Sequence, residues 1–138
     1  MKLAPVVDRL KAAGFPRVYA ILELAALEDR PERLPALFVL PESEDARPNQ
    51  MAGAHDQLAE RVFGVVAMTE GTARREDRIS DELAELEEKV IQALTGWRHP
   101  EASRACDYAG GRLLSVGGRA ASWLIRFRTA RHIRKRAS

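Results

Sequence analysis

A single cysteine, Cys106, stands in this chain of 138 residues. That excludes an intrachain disulfide and any zinc site built from several cysteines, and it suits a reducing compartment. Histidine is scarce as well: His55, His99 and His132 lie in three separate segments with no ligand spacing between them. They read as surface or packing residues, and no metal is assigned to them. Long apolar runs are missing. Nothing approaches the roughly 18–20 residues that would span a bilayer, so no membrane partner is expected. Asp8, Arg9 and Lys11 interrupt the N-terminal stretch too early for a secretory signal.

Catalytic signatures are equally thin. The chain has no G-x-S-x-G, no P-loop and no G-x-G-x-x-G; Gly110-Gly111 and Gly117-Gly118 read as hairpin glycines. Cys106 precedes Asp107, an anionic neighbour that raises a thiol pKa and leaves the sulfur unreactive. The chain is therefore read as a non-enzyme, with no catalytic residue and no cofactor.

What the sequence does have is a globular composition, 46% hydrophobic and 30% charged, at a length that fits one domain over residues 1–138. It also has a charge asymmetry hidden by a net charge of +2. Residues 104–138 hold nine Lys and Arg against Asp107 alone, while residues 1–103 carry an excess of acids. A basic C-terminal end of this kind points to an electrostatic partner, nucleic acid or an acidic protein surface.

Hydrophobic periodicity divides the chain into seven elements. Leu3, Val6, Val7 and Leu10 predict a helix ended by Gly14 and Pro16. Alternation over 18–24 predicts a strand, followed by a charged loop over 28–33. A strand over 36–40 ends at Pro41, and residues 41–56 read as a polar loop that orders on assembly. Residues 61–68, apolar on both faces, read as a central strand. After a polar loop over 69–75, Ile79, Leu83, Leu86, Val90 and Leu94 make one apolar stripe of a helix that ends at Gly96. Strands over 112–116 and 121–131, joined by Gly117-Gly118, complete the order α-β-β-β-α-β-β, with a basic tail over 131–138. The expected fold is α+β: a mainly antiparallel or mixed sheet of four to five strands with two helices on one face. On the last strand, Trp123, Ile125 and Phe127 face the helices.

Arg126 and Arg128 share the other face of that strand, and Arg131 and Arg134 follow. A row of planar guanidinium forks can meet phosphates or carboxylates. Trp123 and Phe127 lie on the opposite face, so no base-stacking platform is expected. Glu42, Glu44 and Asp45 are the acidic counterparts, and these seven charged residues are the candidates for a subunit interface or a ring lumen. Arg126 and Arg128, held on a strand, are assigned to the interface, and Arg134 to Arg136 to the lumen or tail.

Several segments together resemble the tail terminator, or tail completion, proteins of long-tailed bacteriophages. They are the opening helix with Gly14-Phe15, the strand Leu34-Pro35-Ala36-Leu37-Phe38-Val39-Leu40-Pro41, and the strand over 57–68. The helix end Val90-Ile91-Gln92-Ala93-Leu94-Thr95-Gly96-Trp97-Arg98-His99-Pro100 and the hairpin from Gly111-Arg112-Leu113-Leu114 to Trp123-Leu124-Ile125-Arg126-Phe127 are similar too. The resemblance implies a structural protein of the virion tail, assembled in the host cytoplasm, which forms a hexameric ring. It further implies contacts with the tail tube protein and a head-side connector, and DNA passing through the lumen without tight binding. Alternative readings are a neck or head-closure component and a small nucleic-acid-binding module using the basic C-terminal segment.

Overall fold

The computed structural model describes residues 1–29, 33–71, 75–115 and 120–136. Helix α1 forms over Ala4–Ala12, with Pro5 in its first turn, where a missing N–H costs no hydrogen bond. Gly14, at φ 107°, then turns the chain towards the sheet in a conformation that side chains rarely adopt. Strand β1, Val18–Ala20, is shorter than the alternation predicts. Ile21 is buried, and Leu24–Asp29 coil into a 3-10 helix, as leucine, alanine and glutamate readily do once strand pairing stops.

Strands β2 (Ala36–Ala46) and β3 (Ala54–Glu70), helix α2 (Glu76–Leu94), and strands β4 (Asp107–Ser115) and β5 (Ala120–Arg136) complete the expected order. The five strands form one mixed sheet in the order β1-β2-β3-β5-β4, parallel only between β1 and β2. The fold is α+β. Strand β3 sits in the middle, which explains why its sequence is apolar on both faces.

Both helices pack on one face. Leu10 of α1 and Leu86, Val90 and Leu94 of α2 meet Leu37, Val39, Phe63, Val65, Ile125 and Phe127 in the main core. The whole predicted stripe of α2, from Ile79 to Leu94, is buried. The opposite face has a second core of Ile21, Phe38, Leu40, Val66, Met68 and Leu124, against which Ala26, Leu27, Leu34 and Leu114 pack.

Three further expectations are corrected. Strand β2 does not end at Pro41 but bulges there and runs on to Ala46. Leu37 N–H donates to the Arg17 carbonyl and the Val39 carbonyl accepts from Ile21 N–H, so odd-numbered residues turn their backbone towards β1. Pro41 has the same parity beyond the end of β1, on a free edge, where a missing N–H is tolerated. The polar loop over 41–56 therefore shrinks to residues 47–53, its flanks being strand. The basic tail is strand as well: β5 pairs with β3 from Glu70↔Ala120 to Ala54↔Arg136. Arg30 to Glu32, Thr72 to Arg74, Val116 to Arg119, with the glycine turn, and residues 137–138 lie outside the described residues.

Candidate functional site

Strands β2, β3 and β5 carry all seven candidate residues: Arg126, Arg128 and Glu42 where β4 still pairs with β5, the other four on a three-stranded ribbon that continues beyond β4. In a ladder, a residue on β2 and one on β5 are separated by the intervening β3 residue, so a charge pair between them must reach across the central strand. Gly64 leaves the space between one such pair free of a side chain. It lies in register with Leu40 on one side and Arg126 on the other. With no side chain in the way, Arg126 Nε donates to Glu42 Oε2 at 2.8 Å above it. A Cβ on Gly64 would stand 2.7 Å from Leu124 Cδ1, 3.2 Å from Leu40 Cδ2 and 3.7 Å from the Glu42 carboxyl carbon.

A second bridge crosses on the helix-bearing side. Arg131, in register with the small buried Ala59, donates from Nε and Nη2 to both oxygens of Glu44, at 3.0 and 2.8 Å. Arg61 Nη1 lies 3.5 Å from the same carboxylate. The hydrogen bond from Arg131 holds the Glu44 carboxyl below its ordinary range, helped by the Arg131, Arg61 and N-terminal charges and opposed by burial. The same contact raises the Arg131 guanidinium pKa.

Near the ribbon's end, Asp56 takes His132 Nδ1 at 2.7 Å and Arg134 Nε at 3.5 Å. The hydrogen bond with His132 is the main cause of its lowered pKa. Of the seven candidates, five are thus in ion pairs: Arg126 with Glu42, Arg131 with Glu44, and Arg134 with Asp56. The side chains of Arg128 and Asp45 are exposed and, among the described residues, without a hydrogen-bond or ion-pair partner.

Spacing alone did not reveal Gly64, Asp56 or a cluster at the other edge of the sheet. There Glu87 of α2 accepts from Trp123 Nε1 and from Tyr108 Oη, the latter at 3.3 Å. Gly111 leaves room for it, since a Cβ there would lie 2.7 Å from the Glu87 carboxylate and from Trp123 Nε1. A lone glycine inside a strand is the available signal for such a close approach.

The remaining reactive side chains are locked into the fold. His99 is buried; its Nδ1 accepts from Glu101 N–H at 3.0 Å, so Nε2 donates to the Lys2 carbonyl at 2.7 Å. Burial, with Asp107 second, pushes the Cys106 thiol up to about 11. Among the described residues, no three of His, Cys, Asp and Glu are placed to hold a metal ion, and no helix is long and apolar enough to cross a membrane.

Fold and site together define a small α+β module whose long strands present a charged surface built from cross-strand ion pairs. A family model of phage tail terminator proteins matches residues 1–138, and the chain belongs to that family. It is a structural component of the virion tail, with a role in tail assembly alongside tail and head components. No curated protein matched the sequence.

Proposed function

We propose that this chain caps the phage tail tube as a hexameric ring, ends tube growth and offers the surface on which the head-side connector docks. The observation that carries this reading is the family match over the whole chain. The charge arrangement supports it. A ring through which DNA passes must not grip it, and a cation already paired with a neighbouring carboxylate gives little counterion release on meeting a phosphate. Arg126, Arg131 and Arg134 are paired in that way within one chain. They are therefore proposed to line or border the lumen, while Arg128 and Asp45, exposed and without a partner among the described residues, are proposed for contact with a neighbouring subunit or the tail tube. Assembly takes place in the host cytoplasm, where tube, ring and connector meet.

Size-exclusion chromatography with light scattering, run on the protein alone and with tail tubes, tests the reading. A closed ring in either sample, together with capped tubes of uniform length by electron microscopy, is the expected result. A monomer that ignores tubes and binds short DNA duplexes with steep salt dependence would replace it with a nucleic-acid-binding role.

A further inference from the structure

Both outer edges of the ribbon lack a strand partner among the described residues. Strand β1 covers β2 only at Leu37 to Val39, and β4 covers β5 only up to Arg128. Beyond those points the backbone groups alternate in a defined way. Arg47 N–H donates to the Leu58 carbonyl of β3 at 2.9 Å, so past the bulge odd-numbered residues bond inward, and Glu44 and Ala46 turn N–H and C=O outward. On β5, the Ala130 carbonyl accepts from Ser103 N–H at 2.8 Å on the side away from β3, so His132 and Arg134 also turn theirs outward. The two edges differ in charge. Residues 42–47 hold Glu42, Glu44 and Asp45 against Arg47 alone, and residues 131–136 hold four Lys and Arg with no acid. The internal ion pairs leave Asp45 exposed on the first edge, and on the second Lys135 and Arg134, the latter with 68% of its side chain in water.

Charge on an edge strand ordinarily keeps other strands away. Here like edges repel, acid against acid or base against base, but unlike edges attract. We infer that β5 of one copy of this chain pairs edge to edge with β2 of the next, with Asp45 beside Arg134. Both strands run antiparallel to β3 and so in one direction, which rotation about an axis along the strands preserves. The pair is therefore parallel, and each outward-turned residue bonds the two residues that flank its opposite number. With Ala130 held by Ser103, the register that engages both Glu44 and Ala46 sets them opposite Ile133 and Lys135, and Asp45 opposite Arg134. The contact is heterologous, and its repetition closes a ring when the rotation allows. The inference rests on the ring reading above and names the surfaces that build the ring.

Asp45→Lys tests it, because Asp45 has no partner among the described residues and the variant should melt like the wild type. It should raise the concentration needed for ring formation at least tenfold, measured by light scattering with or without tail tubes. Adding Arg134→Glu in the same chain reverses the pair at every contact and should recover most of that loss. The recovery cannot arise within one chain, where β3 lies between the two residues and keeps β2 and β5 about 10 Å apart. For the same reason Asp45→Cys with Arg134→Cys should give, on oxidation, a ladder of disulfide-linked oligomers and no internal bridge. The buried Cys106 should not compete. Wild-type rings overturn the inference, and stay intact themselves, if Asp45→Lys closes as readily, if Arg134→Glu fails to rescue it, or if the two cysteine substitutions give no ladder. A wild-type chain that stays monomeric even on tail tubes removes the ring reading, and the inference with it.

Discussion

Arg126 on β5 and Glu42 on β2 form an ion pair at 2.8 Å although an entire strand lies between them. The residue beneath it, Gly64, has no side chain, and a Cβ there would meet the Glu42 carboxyl carbon at 3.7 Å, an ordinary contact distance. The glycine is demanded instead by Leu124 and Leu40, whose side chains come within 2.7 and 3.2 Å of where a Cβ would stand.

Gly64→Ala should accordingly destabilise the protein. The added Cβ meets the ends of Leu124 and Leu40, side chains that are buried and have little room to move. Overpacking of this kind costs about 1–3 kcal/mol. Thermal and urea melts measure it directly. An unchanged midpoint would show that the two leucines can yield.

Phe127 should tolerate truncation still less. It is fully buried, stacks on Phe63 at 5.6 Å between ring centroids and meets Tyr108 edge-on at 6.1 Å. Phe127→Ala should lower stability by about 3–5 kcal/mol, read from urea unfolding. A loss below 1 kcal/mol would mean that the core can collapse into the space.

How much of this was legible beforehand depended on what kind of signal each residue carries. The stripe Ile79 to Leu94 and the alternation of Trp123, Ile125 and Phe127 are local periodicities, and both faced the core as read. The ribbon was not legible. Apart from Ala46 and Ile133, residues 42–46 and 131–136 are polar, and a strand of that composition has no alternating burial pattern to betray it. What holds them is pairing with β3 and the acid–base matches across it, which depend on residues about 70 to 90 positions apart. The arginines were visible as a group, but their partners could be found only through the sheet order.

Amide exchange should map that correction. Ladder amides of residues 43–46 and 54–62 should exchange slowly, while those of residues 49–53, outside the ladder, should exchange fast. Uniform fast exchange from 43 to 56 would restore the loop that the sequence alone suggested.

Glu44 should make stability depend on pH. Its carboxyl ionises at lower pH in the folded chain than in the unfolded one, because Arg131 donates two hydrogen bonds to the charged form. The pair therefore stabilises the fold in full above roughly pH 5 and is lost as pH falls through the folded-state pKa. Glu44→Gln should cost about 1 kcal/mol or less at pH 7, and the gap from the wild type should close in acid. Parallel melts at pH 7 and pH 3 check this. A gap that is the same at both would assign the loss to something other than ionisation.

A charge exchange decides whether the Arg126–Glu42 pair serves one subunit or two. Arg126→Glu alone sets a second carboxylate beside Glu42, and Glu42→Arg alone sets two guanidinium groups together. Each should lower the melting temperature of the isolated chain slightly, since an exposed pair is worth about 1 kcal/mol or less. Combining them rebuilds the pair with its sign reversed over the same glycine. If the pair acts within the chain, the double variant should recover most of that stability, and it should cap tails as often as the wild type when counted by electron microscopy. If Arg126 instead meets an acid of a neighbouring subunit, the double variant would regain its melting temperature and still leave tails uncapped, because the neighbour's carboxylate would then face another carboxylate. A buried partner lost at such an interface costs far more than the internal pair, about 2–5 kcal/mol. The two arrangements therefore separate in the count of capped tails even where the melts coincide.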